Sequence, residues 1–347
     1  MDEKIMNPKF FKKKTAFIIA EAGVNHNGDM VLAKRLIDVA KEAGADAVKF
    51  QTFKTVLVVS MKAAKSPYQK KYTHKKESLY QMLSRLELKE KQFTELNMYA
   101  RRKRILFLST PTDKESVDLL VRLGVPVIKV ASSDITNLPL LEYIAKQKRP
   151  VILSTGRSTL QEVKEAFAVI GRHHNRVALL HCVSNYPADY KDLNLQAIPT
   201  LKTVFKVPVG FSDHTLGWEA AVAAVALGAQ IIEKHFTLDR HAQGPDHRTS
   251  LEPAELRKFV SVIRSIESAL GNGQKVPAAT EYWGRKNVRK GLVSNIDIPK
   301  GAKIDENMIG IKRPGLGIAP RDFEKVIGKT ALKTIRKDQP IYWRYIN

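Results

Sequence analysis

Eight short apolar runs, each followed by a helix-forming stretch, fill residues 16–271 of this chain. They read AFIIAEAG (16–23), AVKFQTF (47–53), ILFLST (105–110), VIKVAS (127–132), VILSTG (151–156), VALLHC (177–182), VPVGFSDH (207–214) and IIEKHF (231–236). Apolar runs of this length are strands buried on both faces, and such strands pair in parallel beneath helices. The stretches between them are amphipathic and stop at glycine, as in MVLAKRLIDVAKEAG (30–44) and DKESVDLLVRLG (113–124). The last, PAELRKFVSVIRSIESALG (253–271), opens on proline. Eight strand–helix units at short spacing predict an α/β fold, a (β/α)8 TIM barrel. An open doubly wound sheet is the alternative, but no GxGxxG turn follows any run. The one long interruption, residues 54–88, is polar and lysine-rich. On a barrel's catalytic face it reads as a lid or a partly disordered segment.

The texture changes after residue 270. GNGQKVPAATEYWG (271–284) reads as a linker, and residues 285–347 as short β-type runs broken by turns. The expected division is a barrel over 1–270, a linker over 271–284, and a small β or irregular module over 285–347. So small a module has little core of its own and is expected to lean on something.

With 44% hydrophobic residues in 347, the chain can bury a large core. Its single cysteine, Cys182, excludes a disulfide framework and fits a reducing compartment. No apolar run reaches membrane-spanning length, and AFIIA after the basic start is too short for a signal-peptide core. The expected location is cytoplasmic, with no membrane partner. The net charge of +23 is spread along the chain, with concentrations at 12–14, 62–76 and 101–104. No zinc-finger spacing, aromatic-basic RNA signature or long basic helix accompanies it. It therefore reads as a solvated basic surface, and no nucleic-acid partner is expected. Retention on heparin or DNA at high salt would support the rival reading, since counterion-driven binding fades steeply with salt.

Barrel enzymes carry their chemistry at the carboxyl ends of the strands. Here those ends hold Glu21, Lys49 with Gln51, Thr110, Lys129, Ser132, Ser154, Ser212 with His214, and Glu233 with His235. Strand alternation puts Ser212 and His214 on one side, and likewise Glu233 and His235. If the two strands are neighbours, two histidines stand at one height on one face. A hydrogen bond near a strand end accounts for either histidine alone; the pair beside a carboxylate equally fits a divalent-metal site. Lys49 and Lys129 interrupt apolar strands, which costs desolvation unless something anionic meets them. Two lysines and several hydroxyls at one mouth make a cradle for a phosphorylated, carboxylated small molecule.

The segments EAGVNHNG (21–28), VKFQTF, STPTD, KVASSD, LSTG, HCVSNYP, GFSDHT, EKHFTLD, GPDHRTSLEP and KRPGLGI occur in that order along nearly the whole chain. In this the chain resembles the sialic acid (N-acetylneuraminate) synthase family, which condenses phosphoenolpyruvate with N-acetylmannosamine or a related amino sugar. The small module resembles that family's antifreeze-like SAF domain. The resemblance implies that His214 and His235 hold a divalent metal, Mn²⁺ or Mg²⁺, with Glu233 near its water. It implies that Lys49, Thr110, Lys129, Ser132, Ser154 and Ser212 bind phosphoenolpyruvate. Glu21, Gln51, Tyr186 and Asp246 would face the sugar, and Asp134 would serve as acid or base. Arg313 would reach the sugar from the partner subunit of a domain-swapped homodimer. Asp134 stands where many members have Glu, Ser184 where some bacterial members have Asn, and Arg157 where methionine is common.

A class I aldolase would also be a barrel, with Lys129 or Lys234 forming a Schiff base to pyruvate and no metal. Alternation sends Lys234 to the helix side, away from His235. Borohydride trapping with pyruvate separates the two chemistries.

Overall fold

The computed structural model describes residues 15–74 and 76–347; the basic stretch 1–14 and Lys75 lie outside the described residues. The eight strands are β1 (Phe17–Gly23), β2 (Ala47–Thr52), β3 (Leu106–Pro111), β4 (Ile128–Val130), β5 (Val151–Ser154), β6 (Val177–Cys182), β7 (Val209–Asp213) and β8 (Ile231–His235). They pair in parallel in the order β3-β2-β1-β8-β7-β6-β5-β4, and β3 lies against β4 to close the ring. The strands match the apolar runs to within a few residues. VIKVAS keeps only three residues as strand, because a 3₁₀ turn over Ser132–Asp134 takes over its end.

The outer layer is α1 (Met30–Glu42), α2 (Glu90–Lys103), α3 (Lys114–Arg122), α4 (Leu138–Lys146), α5 (Leu160–Gly171), α6 (Ala197–Phe205), α7 (Glu219–Ala226) and α8 (Pro253–Leu270). Their apolar stripes pack on the strands in one continuous core. Local chemistry sets their starts. The Asp29 carboxylate accepts from Val31 N and Leu32 N at the head of α1, and Thr159 with Glu162 forms a capping box on α5. One glycine is required by packing. A Cβ on Gly210 would stand 2.2 Å from Ile231 O, so β7 can approach β8 this closely only without a side chain there.

The stretch after β2 is folded rather than open. It forms short helices over Thr55–Val58, Pro67–Tyr72 and Leu79–Leu86. Met82 and Leu86 bury against Val24 and Phe53 in a small cluster of their own, and Thr55 N donates to Glu87 Oε2 at 2.8 Å. These anchors hold the segment at the carboxyl end of β1 and β2.

The described chain divides into two compact units, the first ending at Gly271. The second, residues 272–347, contains a 3₁₀ turn over Ala279–Glu281 and a short helix over Tyr282–Asn287 where the sequence reads as linker. It then pairs β9 (Gly291–Ser294) antiparallel with β10 (Ile309–Lys312). Leu292, Ile298, Ile304, Ile318, Val326, Ile335 and Ile341 give this unit its own buried core. Among the described residues no helix is long and apolar enough to cross a membrane.

Candidate active site

Register brings the strand-end residues together. Glu21 lies opposite Lys49 on one side and His235 on the other, Gln51 opposite Thr110, and Ser212 opposite Glu233. Partners in a parallel sheet point the same way, so this row faces the barrel interior. There it lines a cavity of about 220 Å³, together with Lys129, Ser132, Ser154, Tyr186 and His214.

The floor is a charge network. Lys49 Nζ stands 2.7 Å from Glu21 Oε2 and 3.6 Å from Glu233 Oε2, and donates to Thr110 Oγ1 at 2.9 Å. Lys129 Nζ donates to Ser154 Oγ at 2.7 Å and lies 3.8 Å from Glu233 Oε1. Ser212 Oγ donates to the same Glu233 oxygen at 2.8 Å. All these charges are buried. Burial works to raise the Glu233 carboxyl, but Lys129, Lys49 and the Ser212 hydrogen bond outweigh it and hold Glu233 ionised. Glu21 goes the other way: burial, helped by the Glu233 charge, lifts it above the usual carboxylate range despite Lys49. Burial lowers Lys129, while the two carboxylates more than offset burial at Lys49 and raise it. Two neighbouring carboxyls thus differ, one ionised and one that exchanges its proton around neutral pH.

The rim carries the histidines. The rings of His214 and His235 lie 5.5 Å apart, and Tyr186 packs 4.3 Å from the first and edge-on 5.6 Å from the second. His214 Nδ1 is 2.7 Å from Val183 O and donates to it, which leaves the lone pair on Nε2. That nitrogen faces Tyr186 OH at 3.1 Å. His235 Nδ1 is buried without a hydrogen-bond partner, 3.9 Å from Asp246 Oδ2. Burial depresses both imidazoles, His214 to about 4, so both are neutral at pH 7. Two lone pairs on neutral rings beside an ionised carboxylate suit a divalent cation. Among the described residues no three histidine, cysteine or carboxylate side chains form a closed metal-ligand set.

Other sequence-derived candidates fall at different distances. Asp246 does not line the cavity but is buried next to it, and burial raises its carboxyl to about 6 despite Lys49. A Cβ on Gly23 would stand within 3.5 Å of Glu21, Gln51 and Asp246, so these three polar groups converge over a residue with no side chain. Asp134 is half-buried in the turn after β4, bonded to Ser133 and Asn137, and lines no part of the cavity. Arg313 is exposed at the end of β10 in the second unit. Lys234 points to the helix side, fully buried, 3.0 Å from Asp213 Oδ2 and 2.6 Å from Thr215 O. Sealed there, it is unavailable for a Schiff base.

Tyr68 and Arg157 are among the wall residues that strand reasoning does not reach. Tyr68, whose ring lies 5.2 Å from Tyr186, comes from the inserted stretch after β2. Arg157 comes from the turn after β5. Neither lies on a strand, so alternation says nothing about them.

Comparison with known proteins places this architecture. The NeuB family profile matches residues 36–275, and the SAF domain profile residues 289–345. The chain belongs to the NeuB family. The motif resemblance and the profile thus lead to the same family, that of the sialic acid synthases. This NeuB chain is 49% identical over 331 residues to N,N′-diacetyllegionaminic acid synthase of Campylobacter jejuni, covering 94% of this chain and 99% of that one. It is 37% identical over 327 residues to human N-acetylneuraminate-9-phosphate synthase, covering 94% and 91%. Its fold is similar to the crystal structure of N-acetylneuraminic acid (sialic acid) synthetase from Leptospira borgpetersenii in complex with citrate. There the TM-score is 0.70 at 40% identity, over 77% of this chain and 89% of that one.

Proposed function

We propose that the chain condenses phosphoenolpyruvate with the open-chain aldehyde of an N-acylated amino sugar, and with water, to give a nonulosonic acid and phosphate. The observation that carries the reading is the buried pair Lys49 and Lys129, ringed by Thr110, Ser132, Ser154 and Ser212 around one cavity. Preorganised ammonium groups in a site of low dielectric suit a ligand with both phosphate and carboxylate. The named relatives that make nonulosonic acids support the same chemistry.

In this reading carbon 3 of phosphoenolpyruvate attacks the aldehyde carbon, forming the new C–C bond while the aldehyde oxygen takes a proton. Water adds at carbon 2, and the tetrahedral intermediate expels phosphate by C–O cleavage. Lys49 and Lys129 hold the phosphate and carboxylate through both steps. Glu21, raised into the neutral pH range over Gly23 with Gln51 and Asp246, is the carboxyl able to carry a proton beside the sugar. Glu233, held ionised, is the base towards water. Tyr186 packs the sugar side of the rim. No step is assigned to Asp134, which stands off the cavity.

A divalent ion, Mn²⁺ or Mg²⁺, belongs to this reading, with His214 and His235 as its protein ligands. Bound there it supplies Lewis-acid polarisation of the aldehyde oxygen. The unpartnered His235 Nδ1 and the freed His214 Nε2 are the features that fit it.

The deciding experiment is phosphate release from phosphoenolpyruvate with a panel of sugars: N-acetylmannosamine, its 6-phosphate, and a diacetamido-trideoxy hexose. The last is the preferred substrate, because relatives at 49% and 44% identity are N,N′-diacetyllegionaminic acid synthases. Silence with every sugar, or a borohydride-stable adduct with pyruvate, would sink the reading.

A homodimer completes it, with the small unit of one copy over the barrel mouth of the other and Arg313 on the sugar. Val31, Val56 and Met61, in the segments following β1 and β2, are 75%, 70% and 73% exposed and offer apolar surface for such cover. Arg313→Ala should raise the sugar KM about tenfold or more and leave the phosphoenolpyruvate KM within about twofold. Equal changes in both would remove Arg313 from the sugar site. A cytoplasmic location goes with this reading, since the buried free Cys182 at the cavity wall stays a thiol there.

A further inference from the structure

We propose that Arg157 is the third cation of the anion site, binding phosphoenolpyruvate from the mouth of the cavity above Lys129 and Ser154. The inference rests on the substrate reading given above and adds a residue to it.

β5 ends at Ser154, and the chain reaches α5 through Arg157 in the left-handed conformation, φ +59°. A non-glycine residue rarely adopts that backbone unless its surroundings hold it. Its guanidinium lies at the cavity wall and donates from Nη2 to Ser184 O at 2.9 Å. The Ser184 hydroxyl in turn lies 2.9 Å from that of Ser132. The ends of β4, β5 and β6 are thereby tied into one polar corner with a cation on top.

Arg157 differs from the two lysines in its company. Lys49 is matched by Glu21 and Glu233, and Lys129 faces Glu233. Among the described residues no carboxylate lies within ion-pair distance of Arg157, and one of its five N–H donors is bonded to protein. Charge balance gives the unpaired cation a task. Phosphoenolpyruvate carries about three negative charges near neutral pH, two of them on a phosphate. The floor's two ammonium groups already stand within ion-pair distance of the Glu21 and Glu233 carboxyls. A guanidinium fork beside two serine hydroxyls supplies the missing charge in a geometry that suits phosphate or carboxylate.

The test is calorimetric titration of the full chain with phosphoenolpyruvate, comparing wild type, Arg157→Met and Arg157→Lys, alongside steady-state KM values for both substrates. Arg157→Met should weaken phosphoenolpyruvate binding about tenfold to a hundredfold, with Arg157→Lys between it and wild type. The KM for phosphoenolpyruvate should rise in step while that for the sugar stays within about twofold. Because Arg157 is exposed, an unchanged thermal melt is expected and separates a binding defect from a folding one. Binding of phosphoenolpyruvate by Arg157→Met within twofold of wild type would overturn the proposal, as would a change confined to the sugar KM. A wild-type chain that binds no phosphoenolpyruvate would instead overturn the substrate reading itself, and this inference with it.

Discussion

Alanine in place of His235 is expected to cut phosphate release about a thousandfold while leaving the melting temperature close to that of wild type. Lewis-acid stabilisation of a developing oxyanion is worth several kcal/mol, and about 4 kcal/mol corresponds to that factor in rate. His235 is the cleaner of the two histidines to remove. Its Nδ1 has no hydrogen-bond partner, so truncation breaks no bond there, whereas His214→Ala also frees Val183 O. Both variants should lose Mn²⁺ binding, read by titrating the metal-stripped protein and following the signal of free ion. That readout does not depend on knowing the sugar. Full activity after exhaustive chelation, or Mn²⁺ binding that survives both substitutions, would remove the metal from the mechanism.

The largest effect on stability is expected outside the cavity. Lys234→Met should destabilise the fold by about 3–5 kcal/mol, because it leaves the Asp213 carboxylate buried without its counter-charge. Both side chains of this pair are fully buried, and Asp213 already uses its other oxygen on Thr215 N and Oγ1. The Lys234→Met, Asp213→Asn double variant keeps that acceptor and removes the stranded charge, so it should recover at least half of the loss. Urea unfolding of the full chain measures both. A loss below about 1 kcal/mol for Lys234→Met would show that the pair is not what holds β7 to β8. Asp213 and Lys234 lie opposite each other, one residue before His214 and His235. The same strand register sets His214 and His235 at one height.

Much of the site was legible along the strands. Ser212, His214, Glu233 and His235 could be put on one face, and Lys234 on the other, from alternation alone. The observed register, with Ser212 opposite Glu233, agrees with that parity. Lys49 and Lys129 stand out along the sequence for a thermodynamic reason, since a lysine in an apolar strand needs an anion. The structure shows carboxylates near both, Glu21 and Glu233 for the first and Glu233 for the second. Loops were less readable. Residues 54–88 have the composition of an open lid, yet Met82 and Leu86 are buried against Val24 and Phe53, with Leu79 and Leu83 packed beside them, in the last of the three short helices there.

What the sequence by itself determined is the alternation of strand and helix and the face each strand-end side chain takes. Both follow from repeat distances built into the backbone. Only the tertiary structure decided which loops fold over the mouth, bringing Tyr68 and Arg157 to the cavity. It also decided how the charge is shared, with Glu233 ionised and Glu21 raised into the neutral pH range. That division depends on distances to two ammonium groups and on the exclusion of water, quantities that exist only once the barrel has closed.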